Sequence, residues 1–267
     1  MGRLGSPYIG VTGFTTVDEV HRILMFLADG YQSRLEDRPL MVGVLVNNHT
    51  LAGEAATSVR FPSMEIVKSI FEQASDQGDL MTLRLAHYNT ENPGNLGEEL
   101  KCLAKYCGYS MEGVQLNCCW PSPQQLEDIR PPFFRRVVLQ IGKRALEAYD
   151  YDHEAVAASV DEYANSGLIT DILLDPSGGK GQLANFKSMM PTLHLIAERH
   201  PGLGIGVAGG LSSESVMELL PLFKEFLNLS IDAEGLIRTE DNSSLYLQRV
   251  CDYVTTTFSV LRKSRGI

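Results

Sequence analysis

One stretch of this chain joins a carboxylate to a loop that other groups can approach closely. Ile172-Leu173-Leu174-Asp175-Pro176-Ser177-Gly178-Gly179-Lys180-Gly181 runs from an apolar, strand-like segment into an acid and then into glycines too dense for a helix or a packed strand. Further on, Gly206-Val207-Ala208-Gly209-Gly210-Leu211-Ser212 repeats the pattern: an apolar run, paired glycines, then a helix start. Without Cβ atoms such loops can turn backbone N–H groups toward an anion, and a helix beginning near Ser212 adds its positive dipole end. The chemistry implied is phosphate binding at Gly178, Gly179, Lys180, Gly181, Gly209, Gly210 and Ser212. Beside it stands Asp175, a carboxylate whose pKa partial burial would raise, fitting it for general acid or base work. The alternative is that the glycines only permit tight turns and that Asp175 caps a helix.

Other side chains could join this chemistry. His49 and His87 lie near strand ends, where either could touch a substrate, whereas His21, His194 and His200 fall in or near helices. Cys118-Cys119-Trp120 follows a strand, so a thiolate there would be well placed, although a small buried hydrophobe reads the same way. Lys143, just past another strand, could form a Schiff base if desolvated; otherwise it steers phosphate or faces solvent.

Positioning these groups requires a repeated unit. Tyr8 to Val11 is a short apolar run, and the helix after it opens on a Thr16/Glu19 capping box and stops at Gly30. Strands follow at 40–46, 80–86, 113–117, 136–141, 172–175, 204–208 and 229–231. Each precedes a helix, among them one opened by Pro62, one from Ser213 that Pro221 should interrupt or end, and a last one from near Ser243. Continuous rather than alternating apolar strands imply burial on both faces, hence a parallel sheet. Eight β/α units then favour closure as a single α/β (β/α)8 barrel of the TIM type over residues 1–267. Barrel enzymes build their sites just after the strands. That rule keeps Thr12, Asn47, Asn48, His49, Arg60, His87, Asn89, Asn117, Gln140, Lys143, Asp175, Lys180, Gly209, Gly210, Asp232 and Glu234.

Composition limits the partners. A formal charge of −10 and a pI near 5.1 argue against nucleic-acid or anionic-membrane surfaces, so any anionic ligand must be held locally. The five cysteines, Cys102, Cys107, Cys118, Cys119 and Cys251, form neither a CxxC pair nor a cluster with histidine. A disulfide framework or metal site is therefore not expected, no cofactor is implied, and a reducing, cytoplasmic compartment fits. No apolar run is long enough to span a bilayer, and the N-terminus lacks the apolar core of a signal peptide, although Met1 to Ser6 matches the loose N-myristoylation pattern.

The junctions after strands six and seven resemble those of phosphoribosylanthranilate isomerase, of tryptophan biosynthesis. The likeness rests on Leu173-Leu174-Asp175 with Gly178-Gly179-Lys180-Gly181, and on Val207-Ala208-Gly209-Gly210-Leu211-Ser212-Ser213-Glu214-Ser215-Val216. It extends to Val114-Gln115-Leu116-Asn117, where that family reads Gln-Leu-His, to Gly10-Val11-Thr12, and to Ser58-Val59-Arg60, similar to a Ser-x-Arg that helps bind substrate there. The resemblance implies an aldose–ketose type isomerase acting on a phosphorylated sugar or ribosylamine, with Asp175 as general acid, Asn117 and Arg60 near the substrate and Gly235 in a second phosphate loop. It also implies a gap. The family's general base, a cysteine at the end of strand one, falls on Ile9, which leaves Cys118, Cys119, His49 or His87 as stand-ins. A phosphate-binding barrel of aldolase-like chemistry, or a relative that binds without turnover, stays open beside this reading.

Overall fold

The apolar runs without polar alternation form eight strands: β1 (Ile9–Thr12), β2 (Leu40–Asn47), β3 (Thr82–Asn89), β4 (Gly113–Leu116), β5 (Arg136–Gly142), β6 (Asp171–Asp175), β7 (Gly204–Ala208) and β8 (Leu229–Ala233). This computed structural model describes residues 6–30, 38–54, 58–75, 81–90, 93–117, 120–127, 134–177 and 184–266. Every neighbouring pair is parallel and in sequence order, and β8 returns to β1 through Ile9↔Ile231 and Gly10↔Asp232, closing a (β/α)8 barrel. No strand edge is left unpaired, the standing hazard of an open sheet.

Around it lie α1 (Val17–Gly30), α2 (Asn48–Ala52), α3 (Met64–Ser75), α4 (Leu96–Cys107), α5 (Pro123–Glu127), α6 (Lys143–Ala148), α7 (His153–Asn165), α8 (Phe186–Arg199), α9 (Leu220–Glu225) and α10 (Leu247–Arg265). The Thr16/Glu19 box forms as the spacing predicts, with Glu19 N donating to Thr16 Oγ1 at 3.2 Å and Thr16 N to Glu19 Oε2 at 3.0 Å. Pro221 does interrupt the segment after β7: a short 3-10 turn (Val216–Leu219) precedes it, and it sits in the first turn of α9, where its missing N–H costs nothing. Among the described residues no helix is long and apolar enough to cross a membrane.

Strand residues alternate between two environments. Ile9, Val11, Val42, Val44, Ala86, Tyr88, Val114 and Leu116 pack with the helices in the main core. Tyr8, Met41, Leu83, Leu85, Val138, Leu173 and Ala208 form a separate cluster inside the barrel. The interior is a packed column: polar at both ends, apolar between.

Candidate active site at the carboxyl ends of the strands

The parity of β1 decides what faces the mouth. A Cβ built on Gly10 would meet Asp232 Oδ1 at 2.6 Å and Met41 Cε at 2.8 Å, so position 10 points inward and Ile9 points into the helix layer. The expectation that Ile9 occupies the place of a catalytic base is therefore corrected: a side chain at position 9 cannot reach the mouth. The inward position at that level is Gly10, and the space a side chain would need there holds the Asp232 carboxyl.

Asp232 is 6% exposed. Thr12 Oγ1, on the next strand, donates to its Oδ1 at 2.8 Å, and His87 Nε2, on β3, lies 3.4 Å from the same hydroxyl. Gly43 on the intervening strand makes the approach possible, since a Cβ there would lie 2.9 Å from His87 Nε2. Burial pushes the Asp232 carboxyl well above the ordinary carboxylate range. The Thr12 hydrogen bond offsets part of this, while the nearby Glu234 and Asp175 carboxylates add to it. Burial likewise depresses His87 to a pKa of about 3, so the imidazole is neutral. The 4.0 Å approach of His87 Nδ1 to Asp232 Oδ2 is thus a neutral contact and not an ion pair.

Asp175 ends β6 on the same mouth and is 7% exposed. Its Oδ1 accepts from Ser177 N at 3.1 Å and Ser177 Oγ at 2.6 Å, and its Oδ2 accepts from Gln140 Nε2 at 2.8 Å. Gly209 (φ 115°) and Gly210 (φ 65°) turn beside it in left-handed backbone, where a Cβ on Gly209 would lie 3.2 Å from Asp175 Oδ1. Asp175, Asp232, His87, Thr12, Gln115 and Asn117 all border one cavity of about 60 Å3 at the centre of the mouth. Two buried carboxyls face one small space, one tied to three donors and the other held toward its protonated form. Such a pair can take a proton from one atom of a substrate and give one to another.

A larger cavity of about 540 Å3 adjoins it on the β7–β8 side, lined by Arg60, Ser212, Ser213, Gly235, Arg249 and neighbours. Arg60 Nη2 is hydrogen-bonded to Glu234 across the rim, so the Glu234 carboxylate that would repel an anion is neutralised. Arg238, fully buried, donates to Gly13 O at 2.6 Å and to Asn242 O, which braces the loop after β8. Ser212 caps the turn that follows Gly210, receiving Glu214 N at 3.2 Å on its hydroxyl.

Of the sequence candidates, Asp175, His87, Asn117, Gly209, Gly210 and Gly235 meet at the central cavity, while Arg60 and Ser212 border the outer one that Gly235 also touches. Gly178, Gly179, Lys180, Gly181 and Cys118 lie outside the described residues. His49 is set apart: Asn47 caps α2 through Thr50, and the short helix turns His49 outward, where its Nδ1 meets Glu54 Oε2 at 2.5 Å. Lys143 is half exposed and 3.5 Å from Glu147, not the desolvated lysine that an imine requires. Cys107 and Cys251 are buried, with thiols pushed up to about 12 and about 11. Among the described residues no group of three or more His, Cys, Asp or Glu side chains is placed to hold a metal ion.

No family model matches the chain, and no curated protein does. Among solved structures it is similar to the sulfate complex of octameric ribulose-1,5-bisphosphate carboxylase/oxygenase from Pyrococcus horikoshii OT3, at 14% identity and a TM-score of 0.57, over 98% of this chain. It spans only 59% of the carboxylase chain. It is also similar to the putative copper homeostasis protein CutC from Streptococcus agalactiae, at 14% identity and a TM-score of 0.51, over 85% of this chain and 99% of that one. At such identities the likeness is one of fold, a TIM barrel.

Proposed function

We propose that this chain is an isomerase of a phosphorylated sugar or ribosylamine, with Asp175 and Asp232 as its proton-transfer pair. The observation that carries this reading is the Asp232 carboxyl lying over Gly10, buried and raised in pKa, in the same cavity as Asp175. The resemblance at the β6 and β7 junctions supports the choice of substrate class.

In the forward direction Asp175 takes the proton from the carbon next to the carbonyl while Asp232 gives its proton to the carbonyl oxygen, forming an enediol or its amino counterpart. Asp232, now a carboxylate, then takes the proton of the neighbouring hydroxyl or amine, and Asp175 returns its proton to the former carbonyl carbon. Both carboxyls end as they began, and no oxidant or cofactor is consumed. His87, neutral beside Thr12, keeps the Asp232 side chain oriented. The phosphate lies in the outer cavity toward Arg60, Arg249 and the Ser212–Ser213 turn, joined to the reacting end over Gly235.

Turnover of phosphoribosylanthranilate, followed by loss of its fluorescence, tests the family reaction, and a panel of aldose phosphates tests the wider class. Asp175→Asn and Asp232→Asn should each lower kcat by about 10²- to 10⁴-fold, the usual worth of one acid–base group. Full activity in both folded variants would remove this reading.

A further inference from the structure

We infer that the mouth selects its substrate through a hydroxyl on the carbon that gives up its proton, and that Gln115 is the residue that reads this hydroxyl. This deepens the proton-transfer reading above and rests on it for which carbon reacts.

Gln115 stands on β4, paired with His87 on one side and Val138 on the other, 1% exposed and lining the central cavity. Its Nε2 is committed to Asn117 Oδ1 at 2.8 Å. Its Oε1 is buried and, among the described residues, meets no donor. A buried carbonyl left in that state is costly, and on a residue that lines a cavity a ligand can complete it.

The rest of the lining points the same way. The Nε2 of Gln140 and the hydroxyl of Ser177 are given to Asp175, and the hydroxyl of Thr12 to Asp232. Three of the side-chain donors around the cavity are thus directed onto its carboxyls and are not turned toward Gln115 Oε1. A complementary ligand must bring donors of its own. With about 60 Å3 available, there is room for roughly four or five water-sized groups. That suits the hydroxylated end of an open-chain sugar. Gln115 and Asp175 line the same cavity, so the hydroxyl on the carbon losing its proton to Asp175 is the donor that we assign to Gln115 Oε1.

Titration calorimetry with D-ribose 5-phosphate and 2-deoxy-D-ribose 5-phosphate, which differ only in the hydroxyl on that carbon, tests the assignment. The parent should bind the hydroxylated sugar on the order of 10- to 100-fold more tightly, the discrimination expected when a buried acceptor loses its donor. Gln115→Leu should bring the ratio close to one by weakening ribose 5-phosphate alone; it removes the unsatisfied Oε1 together with the hydrogen bond to Asn117 Oδ1, so the Tm of the unliganded variant is measured beside it. Gln115→Glu, which keeps an acceptor, should retain the ratio, and Gln115→Met replaces the leucine variant if that does not fold. Equal binding of the two sugars by the parent, or a ratio that survives Gln115→Leu, overturns the role of Gln115. If Asp175→Asn still abolishes turnover in that case, the proton-transfer reading stands without it. Binding of neither sugar phosphate overturns both.

Discussion

The two ends of the barrel interior each bury an aspartate, and they treat it in opposite ways. At the amino ends of the strands Asp171 receives Arg136 Nε at 2.8 Å and Arg136 Nη2 at 2.5 Å, with Thr170 Oγ1 at 2.6 Å. Burial works against the Arg136 charge, but the Asp171 carboxylate outweighs it and holds the guanidinium above its ordinary value. The Tyr8 ring lies 4.9 Å from the guanidinium, and Ser6 O takes another of its protons. At the carboxyl ends Asp232 has a threonine hydroxyl, the backbone of Ala233 and a neutral histidine and, among the described residues, no cation. The chain can therefore pair a buried carboxylate with a cation, and does so at the amino ends of the strands. At the mouth it leaves the carboxyl short of partners, which keeps a proton on it. Barrel enzymes in general keep stability below and chemistry above, and the proposed proton-transfer pair follows that division.

The largest effect should come from breaking the lower pair. Arg136→Met removes one charge and strands Asp171 in the core, at a cost of about 3–5 kcal/mol. For a chain of this length that is a fall in Tm of roughly 10 °C, readable by calorimetry or by a urea midpoint. Asp232→Asn should cost no stability, because the amide still accepts from Thr12 and carries no charge to bury. If Asp232→Asn proved as damaging as Arg136→Met, the two aspartates would be doing the same structural work and the functional reading of the upper one would fail.

The pH dependence of stability separates the same two ends. The folded pKa of Asp232 lies above its unfolded value of about 3.9, so the folded chain keeps a proton that the unfolded chain releases. Its contribution is full below about pH 4 and is lost as pH rises through the folded pKa. His87 runs the other way: its folded pKa of about 3 is below its unfolded 6.5, so its contribution is full above about pH 6.5 and is lost as pH falls toward 3. Urea midpoints for the parent and Asp232→Asn should therefore diverge on going from pH 4 to pH 8, with the variant gaining at the higher pH. A constant difference across that range would mean that Asp232 folds as an ordinary surface-like carboxylate.

The strands and their order were legible because burial on both faces leaves an unbroken apolar run, whereas the helix expected from near Ser212 does not start there: turns and a 3-10 segment (Val216–Leu219) follow Gly210, and α9 begins at Leu220. What such a run hides is parity. In Tyr8-Ile9-Gly10-Val11 nothing alternates, so the sequence does not say whether Ile9 or Gly10 faces the axis, and a shift of one residue exchanges the two faces. A signal was present: Gly10, Gly43, Gly113, Gly204 and Gly206 stand on inward positions, where interior side chains from neighbouring strands fill the space. Asp232 could be placed at a strand end but not distinguished from Glu234, because its burial depends on the closure of β8 against β1, a contact spanning almost the whole chain. His49 was misplaced for a local reason. Asn47 and Thr50 form a capping box that starts a helix at once, so the residue after the strand turns outward with the first turn of α2.

The smallest of these effects is a coupling energy at the inward glycine. Gly10→Ala would set a methyl 2.6 Å from Asp232 Oδ1 and 2.8 Å from Ile231 O, closer than Cβ contacts tolerate, and should cost about 1–3 kcal/mol as an overpacked core site. The carboxyl is the softer neighbour, a side chain held by Thr12 and the backbone of Ala233, so it should swing away from Thr12 and lose its place opposite Asp175. Activity should then fall by more than stability does. In an Asp232→Ala background the same glycine substitution should cost less, with a coupling of at least about 0.5 kcal/mol between the two sites, the remainder being the carbonyl of Ile231, which cannot move. Strict additivity would show that position 10 does not look onto Asp232, and with that the assignment of the upper carboxyl to the space over β1 would be lost.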